Sequence, residues 1–265
     1  MKVITLASGS KGNCTLIETE KVKILVDAGI SLAEIEEKLT ILGVNPSQIY
    51  AILITHEHSD HIKSAGVFAR KYGCFIIASI NEWDTLNKKI GKLEDVQKVM
   101  FSDDDFFIQD LTVKPFALSH DCSSCYGYSF YNQEHKVSIA TDFGKPTKSL
   151  LDNLRDSNIL ILEANHDENM LLNNPKYSSM LKHRILSSKG HISNLTCAGI
   201  LRDIYSPNTT QVILAHLSEE NNSPMLAYNT IKTELSRYGI IEGKHIFIDV
   251  ADQHKMGHLF ELKNE

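Results

Sequence analysis

The sequence predicts an α/β protein with two mixed β-sheets covered on their outer faces by helices. Three observations carry this prediction. β-branched and apolar runs recur along all 265 residues, they fall into an early and a late cluster, and helical patterns are interleaved with both. A hydrophobic content of 42% is enough to bury a full core, which excludes a disordered chain, and no coiled-coil pattern is present. No low-complexity stretch, short repeat or Pro/Gly/Ser-rich linker marks a boundary, so residues 1–265 are expected to form one domain.

Period-2 and β-branched runs mark early strands at KVITLA, NCTLIET, VKILVDA, AILIT and FIIAS. Later strands follow at LTVKPFA, YGYSFYN, KVSIATD, NILILEA, QVILAHL and HIFIDV. Helical patterns lie at SLAEIEEKLTILG, HIKSAGVFARKYG, PTKSLLDNLRDS, NLTCAGILRDIYS and PMLAYNTIKTELSRYG, the last two with apolar residues recurring at three and four. Between the first two strands, ASGSKGN is expected to be a tight loop in which Ser10 and Asn13 are structural.

The N-terminal stretch VITLA is too short for a signal-peptide core, and no run approaches the roughly 18 to 20 apolar residues of a membrane span, so a soluble cytoplasmic protein is expected. Five cysteines are too few and too odd in number for a disulfide framework. Cys122 and Cys125 form CSSC, either two reduced thiols, a redox pair or a metal site; one such pair without a partner pair is weak evidence for the last two. A formal charge of −6 argues against nonspecific polyanion binding. Yet from Met170 to Arg202 the chain carries Lys176, Lys182, Arg184, Lys189 and Arg202 between uncharged residues, and can present one phosphate-friendly face.

Chemistry concentrates in THEHSDHIK, which follows the apolar strand AILI and precedes a helix expected to start near His61. Functional side chains gather on such strand-end loops above a rigid scaffold. His56 and His58, one residue apart, can converge on one ion, while Asp60 and His61 can face a second. Imidazole nitrogen and carboxylate oxygen are donors that zinc and similar divalent cations favour.

THEHSDH resembles the signature of the metallo-β-lactamase superfamily, whose fold is an αββα sandwich with a metal site at one sheet edge. Later positions are similar to its remaining motifs: His120 in FALSHD, Asp142 in SIATDFG and His216 in VILAHLS, each at a strand end. The resemblance implies one metal on His56, His58 and His120, a second on Asp60, His61 and His216, and Asp142 bridging them. It implies two divalent ions, zinc or manganese with iron also possible, about 3.5 to 4 Å apart, lowering the pKa of a shared water and stabilising charge at the attacked centre. Hydrolysis without a protein nucleophile follows.

Several branches fit poorly. Flavo-diiron members have Glu where this chain has His58, and secreted β-lactamases need a signal peptide. Glyoxalase-II-type thioesterases append a helical domain, but only 49 residues follow His216. The β-CASP insert does not fit the 73 residues between Asp142 and His216, nor the ribonuclease Z arm the 21 between His120 and Asp142. ILEANHD, GHISNLTCAGI and AHLSEENN nevertheless resemble three ribonuclease-Z-like elements. On that resemblance His191 contacts the scissile phosphate or protonates the leaving oxygen, and Glu163 orients its ring. Ser193 and Asn194 open a helix whose N-terminus suits an anion, or merely cap it. His166 replaces an aromatic residue and can reach a metal, a phosphate or the loop backbone.

Together these motifs resemble a compact stand-alone bacterial subfamily described as a double-stranded DNA 5′ exonuclease, often encoded beside a two-component system governing cell-wall homeostasis. The implied function is a metal-dependent phosphodiesterase acting on DNA, with Lys182 and Arg184 on the strand-guiding surface. The alternative is a hydrolase of small esters, lactones or cyclic nucleotides, and protein partners stay unassigned.

Overall fold

The structure, a computed structural model, describes residues 1–263. Among these residues the strands form two seven-stranded mixed sheets. In the first, β1 (Lys2–Ala7), β2 (Cys14–Glu18) and β3 (Lys23–Val26) pair antiparallel. Beyond β3, β4 (Ile49–Leu53), β5 (Phe75–Ser79) and β6 (Lys98–Phe101) add in parallel. In the second, β7 (Phe106–Ile108), β8 (Leu111–Ala117), β9 (Tyr126–Asn132) and β10 (His135–Ala140) are antiparallel. There β11 (Ile159–Glu163), β12 (Gln211–Ala215) and β13 (Phe247–Val250) continue in parallel, while β14 (Phe260–Glu261) returns to the first sheet beside β1.

All eleven expected strands form, because alternate side chains of each run have an apolar layer to enter on one or both faces. The middle layer joins the inner faces, with Ile17, Ile24 and Leu53 meeting Tyr128, Phe130, Val137 and Ile161. Outside the first sheet lie α1 (Leu32–Ile41), α2 (Ser59–Ile62), α3 (Ala65–Tyr72) and α4 (Trp83–Lys89). Ile35, Leu39, Phe68 and Leu86 from these helices pack on Leu16, Leu25 and Ile52. After α5 (Lys148–Leu154), α6 (Glu168–Asn173) and α7 (Ser179–Ile185) come α8 (Asn194–Ile204) and α9 (Pro224–Arg237). α5, α8 and α9 cover the second sheet through Leu154, Cys197, Leu201 and Ile231 on Leu160, Leu162 and Leu214.

One expected helix differs. The HIKSAGVFARKYG pattern is two helices, because the Ser64 backbone N–H donates to the Ala28 carbonyl and its hydroxyl to the Ile30 carbonyl at 2.6 Å. The break leaves Asp60 and His61 on a single turn, α2, with His58 at its N-cap. Short elements absent from the sequence reading are β6, β7, α4, α6 and α7.

The parallel strands β3–β6 and β10–β13 place their carboxyl ends at one rim, where open α/β sheets commonly bind ligands. Three loops lock there by backbone hydrogen bonds: Asn13 N–H to the Asp60 carbonyl, Gly29 N–H to the Asn13 carbonyl, and Ala28 N–H to the His61 carbonyl, each 2.8 Å. A Cβ at Gly29 would overlap the Asp60 carbonyl oxygen. Gly29→Ala is therefore expected to cost at least about 2 kcal/mol and lower the thermal midpoint, read by calorimetry; an unchanged midpoint would show that these loops yield.

Candidate metal centre

Five strand ends supply the rim. His56 follows β4, His120 follows β8, Asp142 follows β10, Glu163 ends β11 and His216 follows β12. With Asp60 and His61 from α2 they close into a small, largely buried cluster. His56, His58 and His120 form one group and Asp60, His61 and His216 another, with candidate ligand atoms in each within 4.8 Å of one another. Asp142 stands between them: its Oδ2 is 3.3 Å from His61 Nε2, and its Oδ1 is 3.5 Å from His216 Nε2 and 3.8 Å from His120 Nε2.

Every ring is held by the nitrogen pointing away from this centre. His61 Nδ1 donates to Asp27 Oδ2 at 2.7 Å, and His58 Nε2 to the Asp121 carbonyl at 3.2 Å. His120 Nδ1 donates to the Gly190 carbonyl at 3.3 Å. His56 Nδ1 meets the Thr55 hydroxyl at 3.1 Å, and that hydroxyl donates to Asp27 at 2.8 Å. His216 and His191 both donate from Nδ1 to Glu163 Oε1, at 3.2 and 2.7 Å. Such anchoring fixes the tautomer and turns the free nitrogen toward an ion.

What the centre lacks is hydrogen-bond partners. Asp142 Oδ2 and His216 Nε2 are buried and have none. A buried polar atom left this way costs about 1–3 kcal/mol, and a divalent cation removes that cost for several donors at once. The donor set of imidazole and carboxylate groups therefore fits a divalent metal.

Electrostatics agree. Burial alone would lower the His216 pKa, but the neighbouring carboxylates of Asp142, Asp60 and Glu163 raise it to about 10. Against burial, the surrounding imidazoles hold the Asp142 carboxyl well below its ordinary value. Burial, then the neighbouring His61, depress His56. Burial would raise Glu163, but His191 and the hydrogen bonds from both rings hold it lowered.

Around the centre opens a cleft of about 250 Å³, lined by His58, Asp60, His191, Ser10 and Asn165 and walled by Tyr177, Leu181, Arg184, Ile185 and Lys189. Of the remaining sequence-derived candidates, Arg184 reaches this cleft, whereas Lys182 bonds the Leu172 carbonyl at 2.7 Å outside its lining. Ser193 caps α8 by accepting from the Thr196 N–H and donating to Glu168. Asn194 pairs with Asn222, and its backbone N–H donates to the His166 carbonyl. His166 is buried with neither ring nitrogen hydrogen-bonded. These three residues are not part of the cleft's lining. Cys122 and Cys125 are free thiols; Cys125 Sγ donates to the Asp142 carbonyl at 3.6 Å, and burial pushes its pKa up.

The sequence reading missed Asp27, Asp121, Asn165 and Asn222. Asn165 donates to the His216 carbonyl at 2.9 Å, and Asn222 bonds the carbonyls of Ala164 and Asn165. For Asp27 a signal existed, since a carboxylate ending the apolar run VKILV is an unusual residue to bury without a partner.

The sequence profile of the Metallo-beta-lactamase superfamily matches residues 7–179. The chain belongs to this superfamily. Within it, the chain is 36% identical over 248 residues to exodeoxyribonuclease YycJ of Bacillus anthracis, covering 93% of this chain and 94% of that protein. It is 37% identical to exodeoxyribonuclease WalJ of Streptococcus pneumoniae over 239 residues, 89% of this chain and 88% of that one. The superfamily fold is seen again in YhfI from Bacillus subtilis, with a TM-score of 0.74 at 16% identity over 98% and 99% of the two chains. Human tRNase Z, short form, gives a TM-score of 0.64 at 16% identity over 97% and 99%. With its histidine and aspartate clusters, this superfamily member is a metal-dependent hydrolase. No helix among the described residues is long and apolar enough to cross a membrane.

Two outcomes are expected. Asp27→Asn leaves the His61 ring without its anionic partner and should weaken divalent-metal affinity about 10- to 100-fold, read by chelator competition; unaltered affinity would show that the Thr55 hydroxyl alone orients the ring. Because His216 is protonated below about pH 10 in the metal-free protein, a cation must displace that proton. Zinc binding at pH 7.5 should release at least about one proton, read by calorimetry in buffers of different ionisation enthalpy, and apparent affinity should fall as pH falls.

Proposed function

We propose that the protein is a DNA exonuclease, a phosphodiesterase that shortens duplex DNA from its 5′ ends with two divalent cations, zinc or manganese, iron being compatible with the same donors. Residues 1–265 act as one cytoplasmic hydrolase domain. One cation takes His56, His58 and His120, the other Asp60, His61 and His216, and Asp142 is shared. The observation that carries the reading is the Glu163–His191 pair, 2.7 Å apart, placed in the cleft beside a full donor set. Its companion is the likeness, over most of the chain, to relatives named exodeoxyribonucleases.

When bound, the cations supply Lewis acidity to a water and to the attacked phosphate. The protein's own groups do the rest. Glu163 receives His191 Nδ1–H, which leaves Nε2 facing the cleft to hold a proton and pass it to the departing 3′ oxygen. The same carboxylate oxygen holds His216, so the acid and one ligand are oriented by a single buried group. Arg184 and Lys189 offer positive charge to the strand on the cleft wall, and Lys182 adds charge from α7 outside the cleft lining. Asn194 holds the His166 carbonyl and, through Asn222, the backbone of Asn165, which lines the cleft, while Ser193 caps the same helix.

The test is degradation of linear duplex DNA, with 5′-phosphate or 5′-hydroxyl ends, in Mn²⁺ or Zn²⁺. Wild type should shorten the duplex from its 5′ ends and Asp60→Ala should not. His191→Ala should keep its metal and lose about 10²- to 10⁴-fold in kcat. A metal-loaded wild type that leaves DNA intact while hydrolysing small esters or cyclic nucleotides would replace this reading with the small-molecule one.

A further inference from the structure

Arg184 enters the cleft from α7, and its Nε and Nη2 both lie 2.8 Å from one oxygen, Asp121 Oδ2. The two ends of Asp121 are used differently. Its backbone carbonyl accepts from His58 Nε2 and is tied to the metal centre, while its carboxylate lines the cleft. The pair is open to solvent, with 61% of the Arg184 side chain and 53% of the Asp121 side chain exposed. Exposed pairs of this kind contribute little net stability, so another anion displaces the carboxylate readily. A guanidinium accepts the fork of a phosphate as well as that of a carboxylate. α7 buries none of its residues, and Lys189, which also lines the cleft, makes no ion pair with an acid among the described residues.

We propose that Asp121 is a built-in phosphate surrogate: it holds Arg184 at the cleft mouth in the free protein and releases it to a substrate phosphate neighbouring the scissile one. This deepens the nuclease reading and rests on it. Asp121 is thus a specificity-determining positioning residue. Only a ligand with a second phosphate can take its place on Arg184, which favours a polynucleotide over an isolated phosphodiester. Because the His58 contact uses the backbone, changing the Asp121 side chain tests the exchange without removing that contact.

The experiment measures binding of a cleavage-resistant phosphorothioate duplex to the Mn²⁺-loaded protein by fluorescence anisotropy over a salt series. Wild type, Asp121→Asn, Asp121→Glu, Arg184→Ala and the Asp121→Asn/Arg184→Ala double variant are compared, with metal content and turnover of the normal duplex measured beside them. Asp121→Asn should bind about two- to fivefold tighter, the gain appearing in KM and not in kcat. Asp121→Glu should restore wild-type binding. Arg184→Ala should weaken binding and reduce the salt slope by about 1, and on that background Asp121→Asn should bring no gain. An equal gain without Arg184 would reveal a general charge effect and overturn the exchange, as would unchanged or weaker binding by Asp121→Asn, or a fall in its metal content. A wild type without turnover would overturn the nuclease reading instead, while the binding series still decides whether Asp121 competes with phosphate.

Discussion

Asp142 is the point at which the two halves of this molecule meet. It descends from the second sheet, yet its carboxylate faces His61 of the first sheet's rim as well as His216 and His120 of its own. The carboxylate is buried and one of its oxygens has no hydrogen bond. An arrangement of this kind is costly as a pure protein interaction, because charged and unpartnered polar groups are crowded together in a medium of low dielectric. It becomes favourable when a cation replaces the protons among them. The sheets, their helical covers and the loops between them are the scaffold that keeps those donor atoms in place.

That scaffold is strained at selected points. Asp27, Asp142 and His216 all adopt left-handed backbone conformations, with φ of 62°, 65° and 55°. For residues other than glycine this costs on the order of 1 kcal/mol each. Glycine would relieve the strain, but each position must carry a side chain: a candidate metal-binding group at Asp142 and His216, an orienting carboxylate at Asp27. Fixed neighbours hold the turns. Asp27 N–H donates to the Leu53 carbonyl, and His216 N–H donates to the Ser8 hydroxyl at 2.8 Å. The ASGSKGN loop thereby acts on His216 of the far sheet, and Asn13 Nδ2 also lies 3.4 Å from Asp60 Oδ2. A loop expected to be structural carries, in this sense, the alignment of the centre.

The sequence exposed those parts of the fold whose signal is local. Strands buried on one or both faces show as apolar runs, and ligands packed into THEHSDHIK show because few other uses explain so many histidines together. The short elements gave no such signal. β6 and β7 are edge strands of four and three residues, and α7 has no buried face, so neither periodicity nor length marks them. The residues that orient the ligands were hidden for a different reason. Asp121, Asn165 and Asn222 act through contacts with residues 28 to 63 positions away, to His58, His216 and Asn194. A lone Asp or Asn at a loop is ordinary in sequence and acquires meaning only when the fold closes.

Depth separates two tasks within the same cluster. His56, His61, Asp142, His216 and Glu163 are buried, while His58, Asp60 and His191 retain partial exposure. The inner set has its geometry fixed by packing on all sides; the outer set faces the cleft and meets whatever enters. That cleft is large enough for a phosphodiester and its flanking groups, but far too small for a duplex, which must remain against the outer wall. On the proposed reading, a strand must lead its linkage into this opening, and a terminal or frayed strand does so with less distortion of the duplex than an interior one. The wall of α7 that limits the opening also carries Arg184. Leu181 and Ile185 of the wall and the phosphate-facing Arg184 therefore belong to one lightly anchored helix.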